Sequence, residues 1–578
     1  MRLEMRINYL KKYLNLVPNR HCMNLKLLLV APFLLGASFL FAQGTIIGNA
    51  ETTFQYLNED SVIGANQPPS KGLINSYMNV FYTNGGFKAG MRLESYLPRI
   101  QGYPNRFEGT GLGMRYVGYA NDFVDVTLGS FYEQFGAGLS LRAYENRSLG
   151  YDNLLDGARI IVKPRKGIVL KGVYGYQRLS FQGGRIVHGD GIVRGTDAEF
   201  HLNEVFTKMT DFPLDVSIGA SFVSKYQKDD NSLLNLPENV GAYGGRINMH
   251  YKNFYLDGEY IQKEQDPSND NANIYNYGHA SVFNLSYTRK GLGILVSGKS
   301  VDNMSYRSDR TKDLQDVFIN YLPAMNKTHT YNLVATLYPY ATQPLGEVAY
   351  QFDILYTFLR KTKLGGKYGT TLGFNFSTTY EPKKTYSTTY PSDSTGIAYK
   401  STPFVMSDSL YWQDINFYIS KKINKKFSGI LSYYNIQINN DVAKISNDAQ
   451  GIINSHIGVI ELLYKVSSKH SIRTELQGLF VKPKSDGEIN DKGNWFTALI
   501  EYTVSPHYFF SFMNQYNYGN PDKDKRVNYP IVTCGYIRES TRFTISYGRQ
   551  RAGLFCVGGV CRFVPANNGL TLSFTQSF

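Results

Sequence analysis

The sequence predicts an all-β fold: a large transmembrane antiparallel β-barrel of about 22–26 strands, with irregular segments folded into its lumen. Three observations lead to this prediction. Polar and apolar residues alternate through runs of about ten residues, the length of a strand that crosses a bilayer. Tyrosine and phenylalanine are abundant, and the chain ends on an amphipathic strand that closes with Phe578.

Composition narrows the class of protein further. Of the 578 residues, 46 are Tyr, 35 are Phe and 54 are Gly, and 19% are charged; soluble proteins average roughly 25% charged residues. The mean hydropathy is -0.30. This value excludes a bundle of membrane helices, because each spanning helix needs about 20 consecutive apolar residues. It suits strands with one polar face and one apolar face.

The amino terminus predicts export. Residues 23–42 read as a signal peptide, because the uncharged apolar run Leu27–Ala42 follows a lysine and ends on a small residue before Gln43. A membrane anchor is the alternative, but the run is short for a span. The residue directly after the cleavage point is Gln43 and not cysteine, which argues against a lipoprotein.

These assignments divide the chain into three parts. Residues 1–22 are interpreted as an upstream mis-start or a long n-region, and residues 43–578 as the barrel, which we expect in the cell outer membrane. Residues 1–42 carry six Lys or Arg and one Glu, so their removal reduces the net charge from +14 to +9. This modest excess, without a basic run interleaved with aromatics, predicts no nucleic-acid partner.

Strand periodicity is clear throughout the barrel region. In one strand the apolar positions are Leu214, Val216, Ile218, Ala220 and Phe222, with polar or small residues between them. Successive side chains of a strand face opposite sides of the sheet. Charged residues recur on the second face, as at Arg473 and Glu475, where a soluble sandwich would need apolar ones. A membrane barrel places such residues in a wet lumen.

The carboxyl-terminal strand carries an expected assembly signal. Leu572, Phe574 and Phe578 fall on one face of the last ten residues. The pattern resembles the last-strand signal of bacterial outer-membrane barrels, which implies that the barrel-assembly machinery is a partner during insertion. Outer-membrane lipid is the second expected partner.

Connection lengths predict the orientation. Long polar connections are expected to be extracellular, and short ones, such as Ser505–Pro506 and Glu539–Ser540, periplasmic. The long set comprises 381–409, 439–453, 482–493, 518–527 and 551–568. Residues 305–328 are long where this alternation demands a short turn. An inward-folded segment or an uncounted strand within 305–345 would restore the alternation, and prolines there favour irregular structure.

Several stretches resemble one family over most of the mature chain. They are Gly129–Gly136 continuing through Arg142 to Gly157, Gly191–Asp197, Tyr321–Pro344 and Arg549–Phe578. The chain is similar there to uncharacterised outer-membrane barrels from Bacteroidota. The resemblance implies a barrel in the outer membrane, and it brings no activity and no functional residues.

Four cysteines are present, and Cys22 precedes the predicted cleavage point. Cys556 and Cys561 flank a Val-Gly-Gly-Val turn, so a local disulfide is expected in an exported protein. A metal pair is the alternative, but no histidine or further cysteine lies nearby in sequence. Cys534 is predicted to be a small residue that faces the membrane or the lumen.

Two sets of charged residues are candidates for a function in the lumen. The first would form either a constriction that sets size and charge selectivity or an ion-paired loop and rim: Glu133, Arg142, Glu145, Arg147, Asp152, Asp156 and Arg159. The second would face a wet lumen: Lys88, Arg92, Glu94, His250, Asp257, Glu259, Arg473 and Glu475. Both signs occur in the second set, so strong ion selectivity is not implied.

Within the second set, His250, Asp257 and Glu259 could be metal ligands or a proton relay. The favoured interpretation is ordinary polar lining, because a metal site needs several convergent ligands. We therefore predict no metal and no cofactor. Catalytic motifs such as Gly-x-Ser-x-Gly and His-Glu-x-x-His are missing from the sequence, so no enzyme is predicted.

Two functional hypotheses remain. The first is a passive or partly plugged channel for small polar solutes. The second is a structural or accessory barrel in a secretion, assembly or nutrient-uptake complex, with its lumen blocked by 136–157 and 305–345. Uptake through a separate plug domain is disfavoured, because strand-like alternation begins near Thr45–Tyr56. An adhesin or enzyme that uses the 381–409 loop is a minor third hypothesis.

Overall fold

The structure is a computed structural model that describes residues 44–209, 212–386, 398–443, 451–482 and 492–578. Residues 1–22 and the predicted signal peptide at 23–42 lie outside the described residues. So do residues 387–397 of the predicted 381–409 connection, whose residues 381–386 and 399–409 are strand in the structure and not loop.

The described residues form thirty strands, three short α-helices and three 3-10 turns. The strands are β1 (Thr45–Asn58), β2 (Gly72–Asn84), β3 (Phe87–Tyr96), β4 (Gly109–Ala120), β5 (Val124–Phe131), β6 (Gln134–Phe135), β7 (Leu141–Arg142), β8 (Glu145–Asn146), β9 (Tyr151–Asp152), β10 (Leu155–Val162), β11 (Ile168–Gln182), β12 (Arg185–His201), β13 (Leu214–Tyr226), β14 (Asn239–Tyr251), β15 (Phe254–Lys263), β16 (Gly278–Arg289), β17 (Leu292–Asp302), β18 (Gly346–Phe358), β19 (Thr370–Tyr386), β20 (Tyr399–Lys422), β21 (Phe427–Asn439), β22 (Ile452–Lys465), β23 (His470–Val481), β24 (Trp495–Val504), β25 (Tyr508–Tyr516), β26 (Asn528–Arg538), β27 (Thr541–Gln550), β28 (Gly553–Val557), β29 (Val560–Val564) and β30 (Asn567–Ser577). The helices are α1 (Leu202–Val205), α2 (Asn332–Leu337) and α3 (Asn440–Ala443), and the 3-10 turns are Ser61–Ile63, Thr207–Met209 and Lys523–Lys525.

All strands except β6–β9 and β28–β29 join one 24-stranded sheet, in which each strand pairs antiparallel with its neighbours. The sheet closes because β30 pairs with both β27 and β1. At the seam, Gly48 N donates to Phe578 O and Phe578 N donates to Gly48 O, both at 2.9 Å. Among the described strands, closure leaves this sheet without an open edge. The predicted all-β barrel of 22–26 strands is confirmed, with 24 strands.

The wall of the barrel has inverted polarity compared with a soluble protein, because its apolar side chains face outward and its polar side chains face inward. On β24 the side chains of Phe496 and Ile500 are 43% and 51% exposed, whereas Trp495 and Thr497 on the opposite face are 2% and 0% exposed. Ile500 lies beside Phe512 of β25, which is 47% exposed. The outer face is therefore apolar, and polar side chains are buried on the inner face.

The final strand and Cys534 follow the same pattern. Leu572 pairs with Ile545 of β27, and both side chains lie on the outer face with Phe574. Cys534 lies between Phe510 and Ile545, so its thiol belongs to this outer face. Assembly signalling by Leu572, Phe574 and Phe578 stays a prediction.

Connections at the two ends of the barrel differ in length. One end carries short turns such as 85–86, 252–253 and 290–291, and the other carries most of the long connections. We expected the alternation of long and short connections to break at 305–328, and this prediction is wrong. Residues 359–369 join β18 to β19 at the short-turn end, so the 303–345 connection leaves from the long-connection end like the other long loops.

Three small helices lie in connections between barrel strands. In the described ranges, no helix is long and apolar enough to cross a membrane.

Candidate functional site

Four connections from the long-connection end fold into the barrel: 97–108, 132–154, 303–345 and 551–566. We call them together the plug. Their position inside the lumen follows from contacts with distant parts of the wall. Tyr306 Oη donates to the carbonyl oxygens of Val223 on β13 and Val240 on β14, at 3.2 and 2.9 Å. Tyr306 belongs to the 303–345 connection. Farther along this connection, Leu333 N donates to Gln477 Oε1 on β23 at 2.9 Å.

Apolar packing holds the plug against the wall in two places. In the first cluster, Tyr306 and Ile319 of the plug pack with Phe135 and with the wall residues Val223 and Val240, and all five are at most 3% exposed. Fully burying one such side chain contributes about 1.5–3 kcal/mol. The inner face of the wall is therefore apolar where the plug rests on it.

The second cluster lies around helix α2 in the 303–345 connection. Leu333 and Leu337 of the helix pack with Trp412, Ile436 and Leu479, which belong to β20, β21 and β23. A six-residue helix would not be stable alone in water. Its conformation therefore depends on this packing.

A buried ion network also joins the wall to the plug. Arg178 of β11 binds Glu94 of β3 at 2.7 Å and Asp152 of the plug at 2.8 Å. Arg92 of β3 binds the same Glu94 and Asp152 at 2.6 Å. Arg92 and Glu94 are 1% exposed and Arg178 is 2% exposed. Such charges are tolerated in the interior only when each has its partners.

The predicted constriction residues do not converge on one ring. Glu145 joins the buried network through Arg92 at 2.9 Å, and burial raises the pKa of its carboxyl group. Arg147 bridges Glu145 and Glu51 at 2.9 and 2.8 Å. With Asp152, these residues tie the 132–154 connection to β1 and β3.

The remaining members of that set form separate contacts. Glu133 accepts from Arg159 at 2.7 Å and from Lys171 at 2.9 Å. Asp156 pairs with Arg115 at 2.9 Å and with His188 at 3.0 Å. Arg142 has its guanidinium carbon 4.5 Å from the centre of the Tyr144 ring and 4.0 Å from that of Tyr321. A role of these residues in selectivity stays a prediction.

The predicted inward polar residues also have specific partners. Lys88 pairs with Asp125 at 2.5 Å, Asp257 accepts from Asn284 at 2.8 Å, and Glu259 accepts from Ala137 N of the plug at 2.6 Å. His250 contacts the carbonyl oxygen of Lys252 at 2.9 Å near a turn. Arg473 binds Glu461 at 3.0 Å and also binds Glu475.

These polar residues do not assemble a metal centre. His250, Asp257 and Glu259 make the separate contacts given above. Among the residues that the structure describes, no group of three or more His, Cys, Asp or Glu side chains could hold a metal ion.

Sequence reasoning missed several buried contacts between distant residues. His329 of the plug lies 2.7 Å from Asp414 of β20, between Nε2 and Oδ2. Lys225 of β13 pairs with Asp266 at 2.7 Å, and Lys299 of β17 pairs with Glu347 of β18. A charged residue within a strand, such as Lys225 or Lys299, was the available signal, but it does not identify the partner.

The four plug connections enclose a cavity of about 590 Å³. Its walls include Tyr144 and Tyr151 of the 132–154 connection, and Phe318 and Tyr321 of the 303–345 connection. Burial raises the pKa of Tyr144, Tyr151 and Tyr321, so their hydroxyl groups stay protonated at physiological pH. The aromatic walls are therefore neutral.

The β28–β29 hairpin forms another wall of the cavity. Its Cys556 and Cys561 are joined, and the expected disulfide is confirmed. The turn uses Gly558 and Gly559 with φ of 59° and 86°, values that favour glycine. Thr342 N donates to Gly559 O at 3.0 Å, so a side chain at this turn would also displace the neighbouring connection.

The fold and the site define a class: a closed antiparallel barrel whose lumen holds a plug made from its own connections. The chain belongs to the Family of unknown function (DUF6029), whose model matches residues 21–578. No curated protein matches the chain.

Solved structures of similar shape share little sequence with this chain. The siderophore receptor PirA from Pseudomonas aeruginosa is 9% identical, with a TM-score of 0.39 over 93% of this chain and 81% of that chain. OpdK from the same organism, solved with vanillate, is 12% identical, with a TM-score of 0.33 over 71% and 98%. The copper transporter OprC is 8% identical, with a TM-score of 0.40 over 93% and 80%.

The ion network predicts a large effect of Arg178→Ala. The substitution would leave Glu94 and Asp152 with one arginine fewer in a buried site, which costs about 3–5 kcal/mol of unfolding free energy. Urea unfolding of the purified protein measures this loss. The control is Arg185→Ala, because Arg185 is exposed on the adjoining strand and should change stability by less than about 0.5 kcal/mol. Equal stability of both variants would contradict the assigned role of the network.

Proposed function

We propose that this protein is an integral outer-membrane barrel that acts as a partly plugged channel for small polar solutes. The inverted polarity of the wall carries the proposal. A closed barrel with apolar side chains outside and polar ones inside satisfies its backbone without water and presents lipid with a suitable surface.

The apolar outer surface continues around the barrel. Exposed large apolar side chains occur on strands all along the chain: Leu128, Ile160, Tyr174, Ile218, Phe222, Ile247, Leu285, Leu355, Phe417, Leu431, Ile460, Phe480, Phe496, Ile500, Phe512, Val532, Ile545 and Tyr547. Soluble monomers rarely expose apolar patches larger than a few hundred Å². This surface therefore supports a lipid environment.

Export and assembly complete the proposal. Residues 23–42 would direct secretion, and the barrel-assembly machinery would read Leu572, Phe574 and Phe578, which lie at the seam strand. The long connections would then face the cell exterior and the short turns the periplasm. The proposal retains the expected relation to outer-membrane barrels of Bacteroidota, and it includes no catalytic activity.

The plug restricts the passage of solutes through the barrel. It contacts wall strands on several sides, from β3 and β11 to β13, β20 and β23. Solutes would pass only if part of the plug moved or left a narrow polar path beside it. The plug therefore favours low conductance at rest.

The same observation favours a second candidate, the accessory barrel of a secretion, assembly or nutrient-uptake complex. A lumen occupied by ion-paired connections suits a barrel whose function lies in binding partner proteins. Conduction after removal of the plug, and co-purification of partners, distinguish the two candidates.

The lipid environment predicts that Ile500→Arg is damaging. Ile500 is 51% exposed, so this change would be nearly neutral in a soluble protein. At the outer face of a strand in a bilayer it costs about 2–4 kcal/mol near the midplane. We expect a matching decrease in unfolding free energy in lipid vesicles. The control is Val62→Arg, since Val62 is 55% exposed in the 59–71 connection; equal stability of the two variants would contradict the membrane assignment.

Partial plugging predicts that conductance rises when the 303–345 connection is shortened. Met304 N donates to Pro344 O at 2.7 Å, so the two ends already meet. A short glycine–serine linker can therefore replace residues 306–342. In planar bilayers we expect a steady conductance at least about tenfold above that of the unaltered protein, as for wide barrels with an open lumen.

The matched control is a similar linker in place of residues 360–368, at the short-turn end of the barrel. This variant should conduct like the unaltered protein. A large steady conductance of the unaltered protein would contradict partial plugging. A shortened variant that folds but does not conduct, with partners that co-purify with the full chain, would favour the accessory barrel.

A further inference from the structure

We propose that the cavity in the plug binds a small aromatic monocarboxylate, whose acid group is received by Arg562. This inference deepens the proposed function and rests on it, because it assigns a solute class to the plugged barrel. Three properties of the cavity support it: its size and access, its uncompensated positive charge, and its neutral aromatic walls.

Size and access suit a small molecule. The volume of about 590 Å³ lies within the range of about 300–1,000 Å³ that is typical of ligand pockets. Leu314, which lines the cavity, is 81% exposed and marks a rim open to solvent. All lining residues belong to the four plug connections, so the cavity opens among the long connections.

Arg562 supplies the charge. Its Nε donates to Ser148 O at 2.7 Å and its Nη1 to Gly102 O at 2.6 Å. These bonds hold the guanidinium in place, but within the described residues no carboxylate forms an ion pair with it. Burial lowers the pKa of Arg562, yet an arginine side chain keeps its proton in proteins. Arg562 lines the cavity, and its Nη2 makes no hydrogen bond within the described residues, so this nitrogen can bind a carboxylate.

The second arginine of the cavity cannot fulfil this role. Arg106 already pairs with Asp316 across the cavity wall. One uncompensated positive charge remains, which favours a ligand with a single negative charge.

Aromatic rings define the rest of the ligand. Tyr144, Tyr151, Tyr321, Phe318 and Phe563 contribute to the walls. Such rings favour stacked or edge-on contacts with another ring, worth about 0.5–1.5 kcal/mol beyond the buried area. A flat aromatic body therefore matches the walls better than a flexible aliphatic chain.

The cavity walls also hold polar atoms without a partner. Arg106 Nε, Asn320 Oδ1 and Thr342 Oγ1 are buried and make no hydrogen bond in the described part of the chain. A buried polar atom without a partner is costly. A hydroxyl or ether group on the ligand, or water that accompanies it, would relieve part of this cost.

Calorimetric titration of the full-length protein in phosphatidylcholine nanodiscs tests the proposal, with empty nanodiscs as the blank. The probes are 2-naphthoate, the uncharged 2-naphthamide and the aliphatic acid octanoate. We expect 2-naphthoate to bind at least about tenfold more tightly than either of the others, as a charge-assisted hydrogen bond and ring contacts require. Equal affinity for the amide would overturn the role of charge, and equal affinity for octanoate would overturn the aromatic class.

Variants locate the site. Arg562→Gln should abolish the preference for the acid over the amide, whereas Arg562→Lys should keep it, because the charge remains. Ala341→Trp should weaken binding of both naphthalene probes by filling the cavity, since Ala341 lines it. The control Arg185→Gln removes an exposed arginine elsewhere and should leave binding unchanged.

Folding of each variant is checked by its heat-dependent mobility on gels, and conductance is measured on the same preparations. Loss of acid preference in Arg562→Gln, with an intact barrel, supports the proposal. Undiminished binding in both Arg562→Gln and Ala341→Trp, or no binding of 2-naphthoate at all, overturns the ligand site. Because conductance and insertion are read separately, either of these results leaves the plugged barrel itself standing.

Discussion

The ion network of Arg92, Glu94 and Arg178 with Asp152 is the contact on which the interior of this barrel depends. Three of these residues belong to the wall and one belongs to the plug. Removal of the plug would leave the wall charges with fewer partners, and removal of the wall charges would leave Asp152 buried without a cation. Wall and plug are therefore a single structural unit, and neither would keep its present arrangement alone.

Apolar packing, together with the ion network, holds the plug against the wall. The 303–345 connection meets the wall near Val223 and Val240 at one place and around α2 at another. The disulfide-linked β28–β29 hairpin then rests on this connection through Gly559 and Thr342. The cavity exists because four connections, each fixed to the wall or to a neighbour, meet without filling the space between them.

Sequence patterns predicted the parts of the fold that depend on local order. Alternation along each strand and the terminal strand indicated the barrel, and the short spacing of Cys556 and Cys561 indicated their disulfide. The partners of buried charges were not predictable, because pairs such as His329 with Asp414 join residues distant in sequence. The alternation of connections was misjudged at 305–328, where the long connection leaves from the expected end.

Cross-linking between plug and wall measures whether the 303–345 connection lies inside the barrel. The double variant His329→Cys/Asp414→Cys, in a Cys534→Ser background, places thiols where the two side chains meet. The matched control His329→Cys/Gln413→Cys moves one thiol to the adjacent residue, whose side chain faces outward. A short thiol-specific reagent should link 329 to 414 and not to 413, as read by mass spectrometry of the digested protein. Equal linkage of both pairs, or linkage only to 413, would contradict the plugged barrel.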